Sequence, residues 1–490
     1  MLGFWRSHSD YQQFVISSLR TCDSSESILE YKSAISKLFI LDLDKLKNII
    51  SPLYSSTGRP ALHQPEIFRS FILMNDLGFK LDNWIPKLQN NFVLRTIIGV
   101  DKDSIPSVSS HYDFINRLIK IDEKPRIKLK KRKPSKNIGK NKKLPNKHPD
   151  IVARLVDKIL CGRSFSQRPE RFLQQIFADI CVASSIDLGI IPESLDISGD
   201  GTCINTYASP YGRRSCECAE NGIHNCACPR KFSDPNAAWG WDSSQEKYFY
   251  GYSGYFLSTY NNDLKVDLPL YIRIVDARRH DSVSAVVALQ EFRRLYPDLK
   301  INSFISDSAS DNYATYTLLH NWDINAIIAL NETNKGNVKY PDTFSINENG
   351  IPVCLCGQPM VNWGFNKDRC RIKYRCPLVC GKIDSCPHKS ECSPSDYGRT
   401  VYIKPEWDLR QFTRISRGSD LWKEKYKQRT CAERVNNRIL NNYGVEKNHR
   451  TKKRISFYSM IAGFNIHLDA QLKYLSSQNQ LDFESLFIGR

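Results

Sequence analysis

The sequence predicts a mixed α+β or α/β protein: a helical N-terminal region, then a core in which strands alternate with helices, interrupted by a cysteine-rich insertion. Three observations carry this. Apolar residues recur at helical spacing through much of the first 120 residues, the period shifts to two near residue 194, and strand-like and helix-like segments then interleave. The composition agrees. Of 490 residues, 41% are hydrophobic and 25% charged, which excludes global disorder and a fibrous repeat. The length allows about two to four domains and a large buried core.

Residues 1–120 read as a helical domain. Ile67, Phe71 and Met74, then Leu81, Ile85 and Leu88, fall at helical spacing, with Gly78, Pro86, Gly99 and Pro106 as breaks. A Ser-rich entry precedes Tyr112, Ile115 and Leu118. Residues 121–150 form a basic linker. Between positions 124 and 147 there are twelve Lys or Arg and no acid, and Pro125, Pro134, Gly139 and Pro145 oppose regular structure. Residues 151–490 form the third unit. Its opening is helical (IVARLVDKIL, RFLQQIFADICVASSI), and strands follow at ESLDISGDGT, KYFYGYSGYFLSTY, DLPLYIRIV, INSFIS and INAIIAL. Residues 342–410, rich in Cys, Pro, Gly and Asn, read as an insertion with too few apolar residues for a core of its own. Helix resumes after Asp420.

Charge narrows the partner. Lys plus Arg is 70 against 52 Asp plus Glu, a net charge of +18. A basic chain of this size points to nucleic acid, because neutralised phosphates release counterions. No apolar run approaches a membrane span, and MLGFWRSHSDYQQF has neither the basic start nor the apolar stretch of a signal peptide. A cytoplasmic location with no membrane partner is expected.

Three acids stand out. Asp200 closes the strand-like ISGDGT between two glycines, which permit close approach of a ligand. Asp307 follows the apolar run INSFIS and opens DSASD. Glu433 lies in a helical segment where Tyr426, Arg429, Glu433, Asn436 and Leu440 share one stripe and Cys431, Val435 and Ile439 a second, core-facing one. Each alone has an ordinary reading, as helix cap or surface ion pair. Together, two strand-borne aspartates and a helix-borne glutamate can converge on two divalent cations. Phosphodiester cleavage uses such a pair, one ion activating the attacking oxygen and the other stabilising the leaving one. Hard carboxylate oxygens suit Mg²⁺.

In these motifs the chain resembles the DDE transposases of bacterial insertion sequences, which have an RNase H-like catalytic fold. DGT at Asp200 resembles the first catalytic block and DSASD at Asp307 the second. Tyr426, Arg429 and Glu433 match the first three members of the tyrosine-arginine-glutamate-lysine signature of one large transposase group. The signature lysine falls at position 440, here Leu440, with Arg438 or Lys447 as conceivable replacements. NNFVLRTIIGV with SVSSHYDFINRL, FSDPNAAWGW with YFYGYSGY, DARRHDS and VEKNHRTKKRIS extend the resemblance to about 80% of the chain, at the level of family likeness.

The resemblance implies an RNase H-like mixed sheet and Mg²⁺-dependent cleavage and strand transfer at insertion-sequence ends. Asp200, Asp307 and Glu433 would hold two Mg²⁺ ions, with Mn²⁺ as a substitute. Tyr426 and Arg429 would position the DNA end, and Arg438, Lys447, Arg450, Lys452 and Lys453 would contact DNA. The N-terminal helices would read terminal inverted repeats. A homodimer on paired ends, acting also on target DNA, and a bacterial, nucleoid-associated location are further implications. Two other readings are a domesticated DNA-binding protein without catalysis and an RNase H-like nuclease without strand transfer.

The sixteen cysteines are clustered. Cys216, Cys218, Cys226 and Cys228 flank His224, and seven lie from Cys354 to Cys392 with His388 nearby. Such clusters point to Zn²⁺ rather than disulfides in a reducing compartment. Cys203 and Cys431 read as small core residues.

Overall fold

The computed structural model describes residues 1–22, 24–128, 150–243, 245–331 and 340–488. The N-terminal region folds as α1 (His8–Arg20), α2 (Ser25–Glu30), α3 (Lys32–Ile40), α4 (Asp44–Ile50), α5 (Gln64–Asp76), α6 (Leu81–Asn90), α7 (Phe92–Ile98) and α8 (Val108–Leu118). Local chemistry sets the ends. Ser7, Asn91 and Ser107 each accept the backbone N–H three residues on, capping α1, α7 and α8. Gly99 stops α7 at φ 97°, a left-handed conformation cheap only for glycine. Pro86 departs from expectation: it lies inside α6 and does not end it. Pro86 and Asp82 are both exposed, so the carbonyl that loses its partner meets water while Trp84 and Leu88 stay buried.

The linker also departs from expectation at its start. Arg126–Lys128 forms strand β1 instead of irregular chain; the rest of the basic run, 129–149, lies outside the described residues. Next come α9 (Ile151–Leu160) and α10 (Arg171–Ile176), which passes through a π-helical turn into α11 (Ala183–Asp187).

The strands are β2 (Ser194–Asn205), β3 (Arg213–Arg214), β4 (Arg230–Phe232), β5 (Ala238–Asp242), β6 (Lys247–Asn261) and β7 (Val266–Asp276). Helix α12 (Asp281–Leu295) leads to β8 (Lys300–Ser306), and α13 (Tyr313–Asn321) to β9 (Asn325–Ile328). The central sheet runs β7–β6–β2–β8–β9, with β5 pairing the start of β6. Its β7–β6 and β6–β2 pairs are antiparallel, and its β2–β8 and β8–β9 pairs parallel. The fold is thus α+β around a mixed sheet. Helical crossovers α12 and α13 make the two parallel pairings possible.

The insertion contains β10 (Ser345–Ile346), β11 (Pro352–Val353), β12 (Val361–Asn366), β13 (Arg371–Arg375), α14 (Lys389–Cys392) and β14 (Thr400–Ile403). Contrary to the sequence reading, it has a small core: Ile351, Met360, Ile372, Tyr374, Val401, Ile403 and Phe412 pack together. Sparse apolar residues suffice because the β12–β13–β14 sheet gathers them on one side. A buried bidentate pair, Arg410 to Asp311 at 2.9 and 2.7 Å, ties its exit to the loop after β8.

The chain ends in α15 (Asp420–Lys427), α16 (Thr430–Asn437), α17 (Val445–Asn448), α18 (Lys452–Ser477) and α19 (Phe483–Phe487). Helix α18 is buried on nearly every side from Ile455 to Leu468, because α5 packs on one flank and β7 on the other. His467 bridges Ser185 Oγ and the Pro269 carbonyl, both at 2.8 Å, while Asn465 donates to the Ile72 carbonyl at 3.1 Å. One hydrophobic core therefore runs from the N-terminal helices through α18 to the sheet. No described helix is long and apolar enough to cross a membrane.

Candidate active site

The parallel register of β2 and β8 places Ser198 opposite Ile305. Two residues further along each strand stand Asp200 and Asp307, so the two carboxylates occupy one level and one face of the sheet. Asp307 keeps an extended backbone past the strand end and accepts the Ala309 N–H. The glycines around Asp200 are sterically required. A Cβ at Gly199 would strike Tyr255 and Phe304, and one at Gly201 would strike the Asp281 carboxyl.

Helices α15 and α16 lie along the same face of β2. Lys425 pairs with Asp196 at 2.5 Å, and Ser198 Oγ donates to the Gln428 carbonyl at 2.9 Å. One step further, Asn436 donates to Asp200 Oδ2 at 2.9 Å. Arg429 holds Glu433 at 2.6 Å. The stripe read from sequence is thus real for Arg429, Glu433 and Asn436. Its companion stripe is also as expected, with Cys431, Val435 and Ile439 fully buried. Leu440 departs from the stripe: a π-helical turn over Arg438–Asn442 shifts the register and sends it into the core, 5% exposed.

The acids feel one another. Burial, then the charges of Asp307, Asp281 and Glu433, push the Asp200 carboxyl up to about 7, against the pull of Arg429. Asp281 is a fourth acid that sequence reasoning passed over. It opens α12, and burial pushes it up to about 6, with His280 opposing and Asp307 reinforcing. Its only sequence signal was an Asp at a helix entry after a buried strand, shared with any N-terminal helix acid. Among the described residues, Asp200, Asp281 and Asp307 have no ion pair with Lys or Arg closer than 4 Å. Asn436 Oδ1 is buried beside Asp200 without a hydrogen-bond partner among the described residues. A pocket with concentrated negative charge and too few cations fits divalent metal binding. The acids are spread wider than a closed metal cage, since the described ligand group converging within 4.8 Å is one of thiols.

The remaining predicted residues divide. Tyr426 stacks on Trp422 with centroids 4.7 Å apart and lies within electrostatic reach of Asp307 and Glu433. Lys447 and Arg450 are exposed. Arg438 is paired with Asp469 at 3.0 Å on α18, so it is occupied away from the acids. Lys452 is largely buried, which lowers its pKa, and Lys453 is held by Asn116 Oδ1 at 2.8 Å. Arg438 and Lys453 thus join parts of the fold through these contacts.

The Sγ atoms of Cys216, Cys218, Cys226 and Cys228 all lie within 4.8 Å of one another and can bind a metal ion such as zinc. In the insertion, Cys354 and Cys356 approach to 3.0 Å, and they line one cavity with Cys376, Cys386 and Cys392. Cys431 is a core residue as expected, whereas Cys203 is half-buried near Asp242 and Asp281.

No protein-family model matches the chain. No curated protein matches it in sequence. Among solved structures, the chain is similar to the Drosophila P element transposase strand transfer complex, with 10% identity over 90% of this chain and 88% of that one, at a TM-score of 0.21. A TM-score that low transfers neither fold nor activity.

Proposed function

We propose that the protein is a DNA transposase that cleaves and joins DNA at insertion-sequence ends, with Asp200, Asp307 and Glu433 as its acidic triad. The observation that carries the reading is the level pair Asp200–Asp307 on adjacent parallel strands, with Glu433 within electrostatic reach and Asp200 pushed up to about 7 by burial and then by the neighbouring acids. These carboxylates would hold magnesium, with manganese as a substitute, and the Cys216 cluster would hold zinc. Bound there, the divalent cations supply charge stabilisation to the attacking and leaving oxygens of an in-line phosphoryl displacement.

The protein's own residues do the rest. Ser198 and Asp196 fix α15–α16 against β2, which keeps Glu433 within electrostatic reach of Asp200. Asn436 orients one oxygen of Asp200. Arg429 balances Glu433 and, with Tyr426, offers a guanidinium and a ring to the DNA end. In the overall reaction water displaces the 3′-oxygen of one phosphodiester. The freed 3′-hydroxyl then displaces an oxygen of a second, in the opposite strand or in target DNA. Double-stranded terminal repeats and target, and a homodimer on paired ends, complete the reading.

The second reading, a nuclease without strand transfer, has one observation in its favour: the buried Leu440 stands where the signature has lysine. A Mg²⁺-dependent assay on a plasmid carrying the DNA that flanks the gene decides. Nicking with joined products supports the transposase, and nicking alone supports the nuclease. Equal cutting by the parent, Asp200→Asn, Asp307→Asn and Glu433→Gln would remove the assigned site.

A further inference from the structure

The chain between β2 and β5 leaves the sheet as an arm. It starts where β2 ends at Asn205, about 20 Å of extended strand beyond Asp200, and its root is pinned to the body of the fold. Thr206 Oγ1 donates to the Arg450 carbonyl at 2.9 Å, and Tyr252 donates to Asp234 at 2.6 Å. Beyond the root, β4 pairs with β3 on one side and β1 on the other. These three strands contain eight residues, of which only Ile127 and Phe232 are not Lys or Arg.

The register sorts them by face. Phe232, Arg230 and Lys128 share the inner side, where Lys128 Nζ lies 4.5 Å over the Phe232 ring. Ile127, Lys231 and Arg213 are cross-strand neighbours on the other side, and all three are exposed. Like charges side by side on a sheet this small oppose its formation. Three short strands with one buried ring supply little core to resist that.

The thiols sit where support is needed. Cys216 and Cys218 follow β3, and Cys226 and Cys228 precede β4, so the four sit at the base of the loop that joins the two strands. Cys216 approaches Cys226, and Cys218 approaches Cys228, both at 3.6 Å. The pairing runs across the hairpin, so an ion held by all four fastens its two limbs together.

We propose that residues 206–236 form a zinc-clamped arm whose outward basic face, Lys231 with Arg213 on one side and Ile127 of β1 on the other, grips the phosphate backbone of duplex DNA. The proposal rests on the DNA-processing reading and adds a contact surface to it. Phosphate is the fitting partner because Arg213 and Lys231 are exposed cations with no acid in their cross-strand row.

The test uses the full-length protein, purified without chelator, and a short linear DNA duplex of arbitrary sequence. The parent binds with strong salt dependence. Arg213→Ala with Lys231→Ala keeps the parent's zinc content, while the slope of log affinity against log salt falls by about 2. Cys216→Ser with Cys226→Ser loses one zinc equivalent relative to the parent and shows the same loss of slope. The arm is refuted, with the DNA reading intact, if the parent binds duplex DNA and the Arg213/Lys231 variant binds with unchanged affinity and slope. Unchanged zinc content in the cysteine variant refutes the clamp. A parent that binds no duplex DNA overturns both readings, and a preference for duplex RNA over DNA overturns the assigned partner.

Discussion

Two clusters of potential metal ligands occupy opposite extremes of design. The carboxylates come from positions far apart in the chain, and the sheet and helix α16 impose their places. The thiols come from one short hairpin with scarcely any core beneath it. In the first cluster the scaffold holds the ligands together against their repulsion, so metal relieves a strain already built in. In the second, an ion would supply the order that the scaffold lacks. Burial distinguishes them as well: Asp200 and Asp281 are pushed up to about 7 and about 6 chiefly because they are buried, whereas the thiols sit in a half-exposed loop.

The sharpest way to break this contrast is to neutralise one scaffold-held charge. Asp200→Asn is expected to lower Mg²⁺-dependent nicking by about 1,000-fold, or about 4 kcal/mol of barrier. The same change should stabilise the metal-free protein by about 2 kcal/mol at pH 8, because a carboxylate held at unfavourable cost disappears. Melting curves without metal check the second half, and loss of stability would contradict the strained-acid account.

Next in size is Leu440→Lys, which restores the signature residue. Leu440 is packed in the core, so a charge there should cost about 3 kcal/mol without raising activity. A rise in activity with unchanged melting would show that the π-turn register is wrong. Somewhat smaller is the response to cation. Magnesium at a hundred times its Kd should stabilise the parent by about 2.7 kcal/mol and Asp200→Asn far less.

The pH dependence is subtler, because two regions pull in opposite directions. The raised carboxyls of Asp200 and Asp281 favour the fold below about pH 4. That contribution is lost as pH climbs through about 6 and about 7. His467, buried and lowered to about 4, favours the fold above about pH 6.5 and loses its contribution as pH falls towards 4. Without metal, the melting advantage of Asp200→Asn over the parent should therefore vanish near pH 4 and reach its full size above pH 7. The smallest expected effect belongs to the thiols. Chelation should expose residues 206–236 to protease while shifting the main melting transition by less than about 1 kcal/mol, in keeping with local opening.

Legibility in the sequence followed the range of the interaction. The strand at ISGDGT and the stripes around Glu433 were readable because periodicity is local. The level placement of Asp200 and Asp307 depends on the β2–β8 register, which the sequence does not show; Asp200 stands inside β2, which continues to Asn205, and does not close the strand as the alternation of ISGDGT implied. Asp281 was passed over because an acid opening a helix looks the same whether it faces solvent or Gly201. The insertion's core was missed because Ile351, Tyr374 and Phe412 are scattered along the chain and meet only through the β12–β13–β14 sheet. The pairing of Arg438 with Asp469 and of Lys453 with Asn116 was not readable, because a cation shows its charge in the sequence and hides its partners.

The docking of α16 on β2 has a temporal consequence. Asp200 and Asp307 are synthesised well before Glu433, with the whole insertion between, and Lys425 and the Gln428 carbonyl reach Asp196 and Ser198 only when α15 emerges. A nascent or truncated chain ending before that helix carries two acids and an uncovered strand face. The three proposed acids therefore come together only on a nearly finished polypeptide, so the order of synthesis itself delays assembly of the site.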